Sequence, residues 1–168
     1  NDTVGTVTVD NGASIIGGVT STLSSTGTFE VKDGSVSVNL GGSSALNKTT
    51  AGVVSLSGSN TYSGTTTVSV GTLIIASANA LGGGNVHIGH DGVLQNGTGG
   101  DHTFTQNVHN DGVIDGQSTN VSFAVGTTLS GSGILTGESA YTVYGTLSPG
   151  DSPGTITVDS YSTMTIDA

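Results

Sequence analysis

His90-Asp91-Gly92-Val93-Leu94 and Asn110-Asp111-Gly112-Val113-Ile114 match without a gap at an offset of twenty residues. The pattern Gly-x-apolar extends in both directions, through Gly34-Ser35-Val36, Gly52-Val53-Val54, Gly71-Thr72-Leu73, Gly92-Val93-Leu94, Gly112-Val113-Ile114, Gly133-Ile134-Leu135 and Gly154-Thr155-Ile156. Successive glycines are 18, 19, 21, 20, 21 and 21 residues apart. Between them, apolar and small polar residues alternate, as in Thr6-Val7-Thr8-Val9, Thr28-Phe29-Glu30-Val31 and Ser35-Val36-Ser37-Val38. Period two marks strands with one dry face. A sustained period near twenty marks a solenoid, in which each circuit returns the same residue type above its predecessor. A β-sandwich accommodates turns every 8–12 residues but gives no reason for this register.

The expected fold is therefore all-β: a right-handed parallel β-helix of about eight rungs, roughly 20 residues each and about 40 Å long at strand spacing. One column, Val54, Leu73, Leu94, Ile114, Leu135 and Ile156, is expected to run up its interior. Each glycine is expected to open a strand at a corner with positive φ. The offset of 20 also sets Ile88 over Val108, His87 over Asn107 and His90 over Asn110. The chain reads as a single segment, 1–168, and its opening Asn1-Asp2-Thr3, without initiator Met or apolar leader, as a piece of a longer secreted chain.

Composition removes whole classes of function. The 168 residues include 29 Gly, 12 Asp plus Glu and only two basic residues, Lys32 and Lys48, for a net charge of −10. A phosphate backbone must be met by several cations, so nucleic acid is not an expected partner, and the same shortage disfavours anionic lipid. No apolar run is long enough to span a bilayer as a helix. Cysteine is absent, which excludes disulfides and thiolate metal sites. Low aromatic content and abundant Gly, Ser and Thr raise disorder as an alternative, which the recurrent Val, Ile and Leu oppose.

Leu56-Ser57-Gly58-Ser59-Asn60-Thr61-Tyr62-Ser63-Gly64-Thr65-Thr66-Thr67-Val68-Ser69-Val70-Gly71-Thr72-Leu73, followed by Ala80-Leu81-Gly82, closely resembles the autotransporter-associated β-strand repeat of bacterial autotransporter passenger regions. Leu46-Asn47-Lys48-Thr49-Thr50-Ala51-Gly52 looks like its lead-in, and Gly145-Thr146-Leu147-Ser148-Pro149-Gly150-Asp151-Ser152-Pro153-Gly154 is similar to a Ser-Pro-Gly segment of such passengers. The resemblance implies a secreted or surface-held β-solenoid of a Gram-negative bacterium, a stalk or adhesin whose repeat aids export and folding. It carries over no catalytic residue. In the repeat, Asn60 and Gly64 are expected to bound a tight corner in left-handed backbone, and Tyr62 to cover it with its hydroxyl in water.

Ser152 resembles a nucleophile, but no His follows residue 109 to act as its base. His87, His90, His102 and His109, with Asp91, Asp101 or Asp111, have metal-ligand chemistry, yet the offset of 20 does not stack the imidazoles, so they read as outer-face histidines. Asp91 over Asp111 is a like-charge pair that calcium would bridge or solvent would screen. A uronate lyase needs Arg or Lys at the reacting centre, and a hydrolase needs paired carboxylates on one groove; neither pattern is present. Thr-x-Thr pairs such as Thr103/Thr105, Thr155/Thr157 and Thr163/Thr165 raise an ice-binding face, but they do not recur on every rung. Asn47, Asn96 and Asn120 fit the glycosylation sequon by chance.

The expectation is a non-enzymatic structural or adhesive solenoid with no catalytic, cofactor or metal site. A self-assembling filament or surface-layer subunit is the alternative, and an ice-binding solenoid and a polysaccharide hydrolase are minor ones. Expected partners are a surface receptor or glycan, and further copies of the chain through its open end rungs.

Overall fold

The computed structural model describes residues 2–150 and 154–167; Asp151, Ser152 and Pro153 lie outside them, and with them the nucleophile reading of Ser152. Among the described residues all regular structure is β, and every strand pairing is parallel. The chain winds through about eight turns on three faces.

Face one carries Val7–Val9, Phe29–Val31, Leu46–Lys48, the first part of Thr66–Ile75, the first part of Val86–Asn96, then Val108–Asn110, Thr128–Gly131 and Thr146–Pro149. Face two carries Ala13–Ile15, Gly34–Val36, Val53–Leu56, the second parts of the two long strands, then Val113–Asp115, Ile134–Thr136 and Thr157–Val158. Face three is a sheet in two pieces, Asp2–Val4, Thr22–Ser25 and Asn39–Gly41 below, and His102–Phe104, Asn120–Phe123, Ala140–Val143 and Thr163–Ile166 above. Between the pieces, residues 57–65 and 76–85 run as turns held by hydrogen bonds such as Ser63 N–H to Gly42 O and Gly83 N–H to Tyr62 O.

Alternation decides which side chains are dry. Val54, Leu73, Leu94, Ile114 and Leu135 pair in register on successive rungs and are buried, as their spacing predicts. The column ends differently: Leu135 pairs with Val158, not Ile156. Ile134 pairs with Thr157, 23 residues on, so the final circuit is longer than the others and Gly154 falls outside the glycine register. A second column on this face runs Ile15, Val36, Leu56, Ile75 and Asn96.

Face one departs from the twenty-residue offset. Val86 pairs with Val108, His87 with His109 and Ile88 with Asn110, an offset of 22. The corner from face one to face two holds four residues, 89–92, on one rung and two, 111–112, on the next, so face two returns to 20. Ile88 therefore does not lie over Val108, nor His87 over Asn107.

The corner glycines answer to space more than to φ. Gly71 has a positive φ of 77°, but Gly52, Gly92, Gly112 and Gly133 do not. A Cβ on Gly112 would strike the carbonyl oxygens of Gly89 and Gly92 on the rung below. Rungs touch backbone to backbone there, and only hydrogen fits. Gly34 also has a positive φ, 128°, but is displaced by two places, pairing with Val54 and not with Gly52.

The repeat corner also differs from expectation. Tyr62 is fully buried, its ring tilted against Phe29 at 6.1 Å and its hydroxyl 2.7 Å from Thr66 Oγ1. Asn60 and Gly64 lack positive φ. Asn60 instead stitches three rungs: its Oδ1 accepts from Leu40 N–H at 2.8 Å and its Nδ2 donates to Ala80 O.

Candidate functional site

The four histidines separate into different environments. His90 is exposed and meets its neighbour Asp91, Nδ1 to Oδ1, at 2.9 Å. His102 points inward on face three, buried edge-on against Phe104 at 4.7 Å between ring centroids, and its Nδ1 has no hydrogen-bond partner. Burial pushes its pKa below the ordinary imidazole value. It lines a cleft of about 290 Å³ with Asn79, Asp101 and Gln106, at the break in the face-three sheet.

His87 and His109 are a stacked pair, with ring centroids 4.9 Å apart and planes 17° from parallel. The absence of stacking expected from the offset of 20 is thus corrected by the offset of 22. Alternation points both rings out from face one, and register sets one above the other.

His109 is the centre of a hydrogen-bonded chain. Its Nε2 lies 2.9 Å from Asp111 Oδ2, and its Nδ1 lies 3.0 Å from Ser130 Oγ. Burial works to raise the Asp111 pKa, but the Ser132 N–H, the His109 charge and hydrogen bond, and the Ser132 hydroxyl together hold it below the usual carboxylate range. An ionised carboxylate only accepts, so Nε2 carries the hydrogen. In the tautomer with hydrogen on Nε2 alone, Nδ1 is an acceptor for the Ser130 hydroxyl, which also lies 3.4 Å from Val108 O. The three groups border an open groove of about 640 Å³ whose other polar side chains are Ser132, Ser148, Thr155 and Thr157. The sequence carries the signal for this chain, His109-x-Asp111 with Ser130 21 residues beyond His109, the same spacing as Gly112 to Gly133.

The remaining acidic candidates act mainly as ties between rungs. Asp101 Oδ1 accepts from Asn120 N–H at 3.0 Å and Oδ2 from Asn120 Nδ2 at 3.1 Å, which hold its pKa low. Asp111 Oδ1 accepts from Ser132 N–H, and Asp33 Oδ1 from Val53 N–H. Asp91 and Asp111 are each turned to an imidazole. Among the described residues, no group of three or more His, Asp or Glu is arranged to hold a metal ion.

Of the two cations, Lys32 lies 3.7 Å from Asp10 near the surface. Lys48 is buried in an interior column between Val31 and Val68, with Nζ donating to Thr50 O and Val70 O. Desolvation lowers its pKa, against an upward pull from Asp33. Hence the surface offers no basic patch. Thr163 and Thr165 stand over Ala140 and Thr142, and these over Asn120 and Ser122, so face three holds no array of paired threonines. Asn96, one of the three sequon asparagines, is buried and donates to Gly100 O and Thr119 Oγ1.

No helix among the described residues is long and apolar enough to cross a membrane. No family model and no solved structure matches the chain. Over 83 residues, 48% of its length, the chain is 40% identical to the adhesin BmaC autotransporter of Brucella suis biovar 1 (strain 1330). That stretch amounts to 2% of the adhesin, so the chain spans a very small part of this relative.

Proposed function

We propose that this chain is a segment of a non-enzymatic, surface-held autotransporter stalk or adhesin of a Gram-negative bacterium. The observation that carries the reading is the 40% identity over 83 residues to an autotransporter adhesin, on a chain that winds as a β-solenoid. A solenoid suits this role physically. It converts sequence into length at about 4.8 Å per rung and presents side chains in straight outward columns without a deep enclosed site. The resemblance of residues 56–73 to the passenger repeat supports the same reading, with Asn60 hydrogen-bonded to the rungs on both sides and the Tyr62 ring packed on Phe29. Partners of this kind of surface are a receptor or a glycan.

The test is to display the 168 residues at the surface of a Gram-negative cell, between a signal peptide and a heterologous autotransporter barrel. Cleavage by protease added outside the cell and a gain in adhesion to host cells or matrix are the expected results. A segment that stays inside, or reaches the surface and leaves adhesion and stalk length unchanged, overturns the proposal.

A second reading is a filament subunit. Asp2–Val4 pairs only with Thr22–Ser25, and Thr163–Ile166 only with Ala140–Val143, so both strands present an unpaired edge in this chain. Light scattering of the purified chain over a concentration series is expected to rise through end-to-end stacking. A strictly monomeric profile at high concentration removes the filament reading and leaves the stalk reading intact.

A further inference from the structure

The cleft beside His102 holds a buried unpartnered nitrogen, but nothing there selects one ligand class. The stacked His87–His109 pair lacks the third ligand a metal would need. The Asp111–His109–Ser130 chain carries more, because it sets a carboxylate, an imidazole and a hydroxyl within hydrogen-bond reach of one another beside a groove.

We propose that Ser130 is an acyl-acceptor site, taking an acyl group from an uncharged activated ester that enters the groove beside it. Ser130 Oγ attacks the ester carbonyl carbon and forms the new C–O bond. Its proton passes to His109 Nδ1, 3.0 Å away, and the imidazolium is held by Asp111 through Nε2–H at 2.9 Å. The tetrahedral adduct collapses, the bond to the leaving oxygen breaks, and that oxygen takes the proton from Nδ1. The products are an ester on Ser130 and a free alcohol or phenol, with His109 neutral again. An uncharged donor follows from the groove: hydroxyls and glycines line it, no cation does, and the chain carries −10.

The same geometry limits the reaction to one transfer. Among the described residues, Ser132 N–H is engaged with Asp111 Oδ1 at 3.1 Å and Gly150 N–H with Gly131 O at 2.9 Å, so neither of these is free to receive an oxyanion. A missing oxyanion donor slows acyl chemistry by roughly a hundredfold or more. Only an activated ester reacts at a useful rate, and water removes the acyl group slowly. The site thus captures an acyl group once and does not turn over, a property independent of whether the chain is a stalk.

The experiment treats the 168-residue chain with p-nitrophenyl acetate, quenches it, and maps acetyl groups by peptide mass spectrometry. Ser130 is expected to be acetylated at least about tenfold faster than Ser148, its neighbour in the same outward column on the next rung. His109→Gln, checked for an unchanged circular dichroism spectrum, is expected to slow Ser130 acetylation about a hundredfold. Equal labelling of Ser130 and Ser148 in the wild-type chain overturns the proposal without any variant. Undiminished labelling of Ser130 in folded His109→Gln overturns it as well.

Discussion

Lys48 Nζ donates to Val70 O at 3.0 Å across a rung interface, from a side chain closed off from solvent. A buried ammonium is costly to desolvate, and here two carbonyl groups offset part of that cost. Lys48→Ala leaves a void and frees both carbonyls, and is expected to destabilise by about 2–4 kcal/mol in urea unfolding. Lys48→Met keeps the stem and removes the charge, and is expected to stay within about 1 kcal/mol of wild type. Equal losses for the two variants would show that the charge, not the packing, holds this corner.

Leu94 and Val93 face opposite sides of one strand. Leu94→Asp places an unpaired carboxylate between Leu73 and Ile114, and is expected to cost more than about 4 kcal/mol or to prevent folding. Val93→Ser, one position away on the outer side, is expected to cost less than about 1 kcal/mol. Similar denaturation midpoints would contradict the inward column.

Gly112 and Gly83 separate space from conformation. Neither has a positive φ, and a Cβ meets backbone oxygens at Gly112 and open space at Gly83. Gly112→Ala is expected to lose about 2 kcal/mol or more. Gly83→Ala is expected to gain a few tenths of a kcal/mol, or about 1 at most, by restricting the unfolded chain. Thermal melts of both variants check the pair, and a neutral Gly112→Ala refutes the close contact.

His102 sets a pH dependence. Burial lowers its pKa in the folded chain, so between the ordinary imidazole value of about 6.5 and the folded value the unfolded chain binds more protons. Stability is therefore expected to fall as pH drops below about 6.5. His102→Phe, which keeps an aromatic ring beside Phe104, is expected to flatten that part of the curve. Asp101, Asp111 and Asp159, all with lowered pKa values, contribute stability that is present above the ordinary carboxylate range and lost at more acid pH, and this limb is expected to remain. Urea unfolding from pH 7 to 4 measures both, and an unchanged slope in His102→Phe above pH 5 refutes the assignment.

Much of the architecture is legible in the sequence because Asp-Gly pairs mark the corners and strands follow at fixed distance. From Leu94 to Ile114 the offset read from sequence is the offset in space. It fails one strand earlier, since a corner of four residues and a corner of two look alike to an alignment anchored on Asp91-Gly92 and Asp111-Gly112. That slip of two residues hid the stacking of His87 on His109, whereas His109 meets Ser130 at the 21-residue spacing that Gly112 and Gly133 already show. Lys48 and Tyr62 were illegible for another reason. The Lys48 ammonium is satisfied by Val70 O on the next turn, and the Tyr62 hydroxyl turns inward to Thr66 Oγ1 four residues on in its own turn, where its ring packs on Phe29 of another turn.

The ladder has a mechanical consequence. In a rod wound this way the hydrogen bonds between turns run along its long axis, so a pull on its two ends loads them one after another instead of together. Such a rod peels turn by turn at low force, and each turn of about 20 residues released lengthens it by roughly 65 Å. The interior ties of Asn60 and Lys48 are the places where peeling would pause. A tether of this construction yields under load in steps and rewinds when the load is removed.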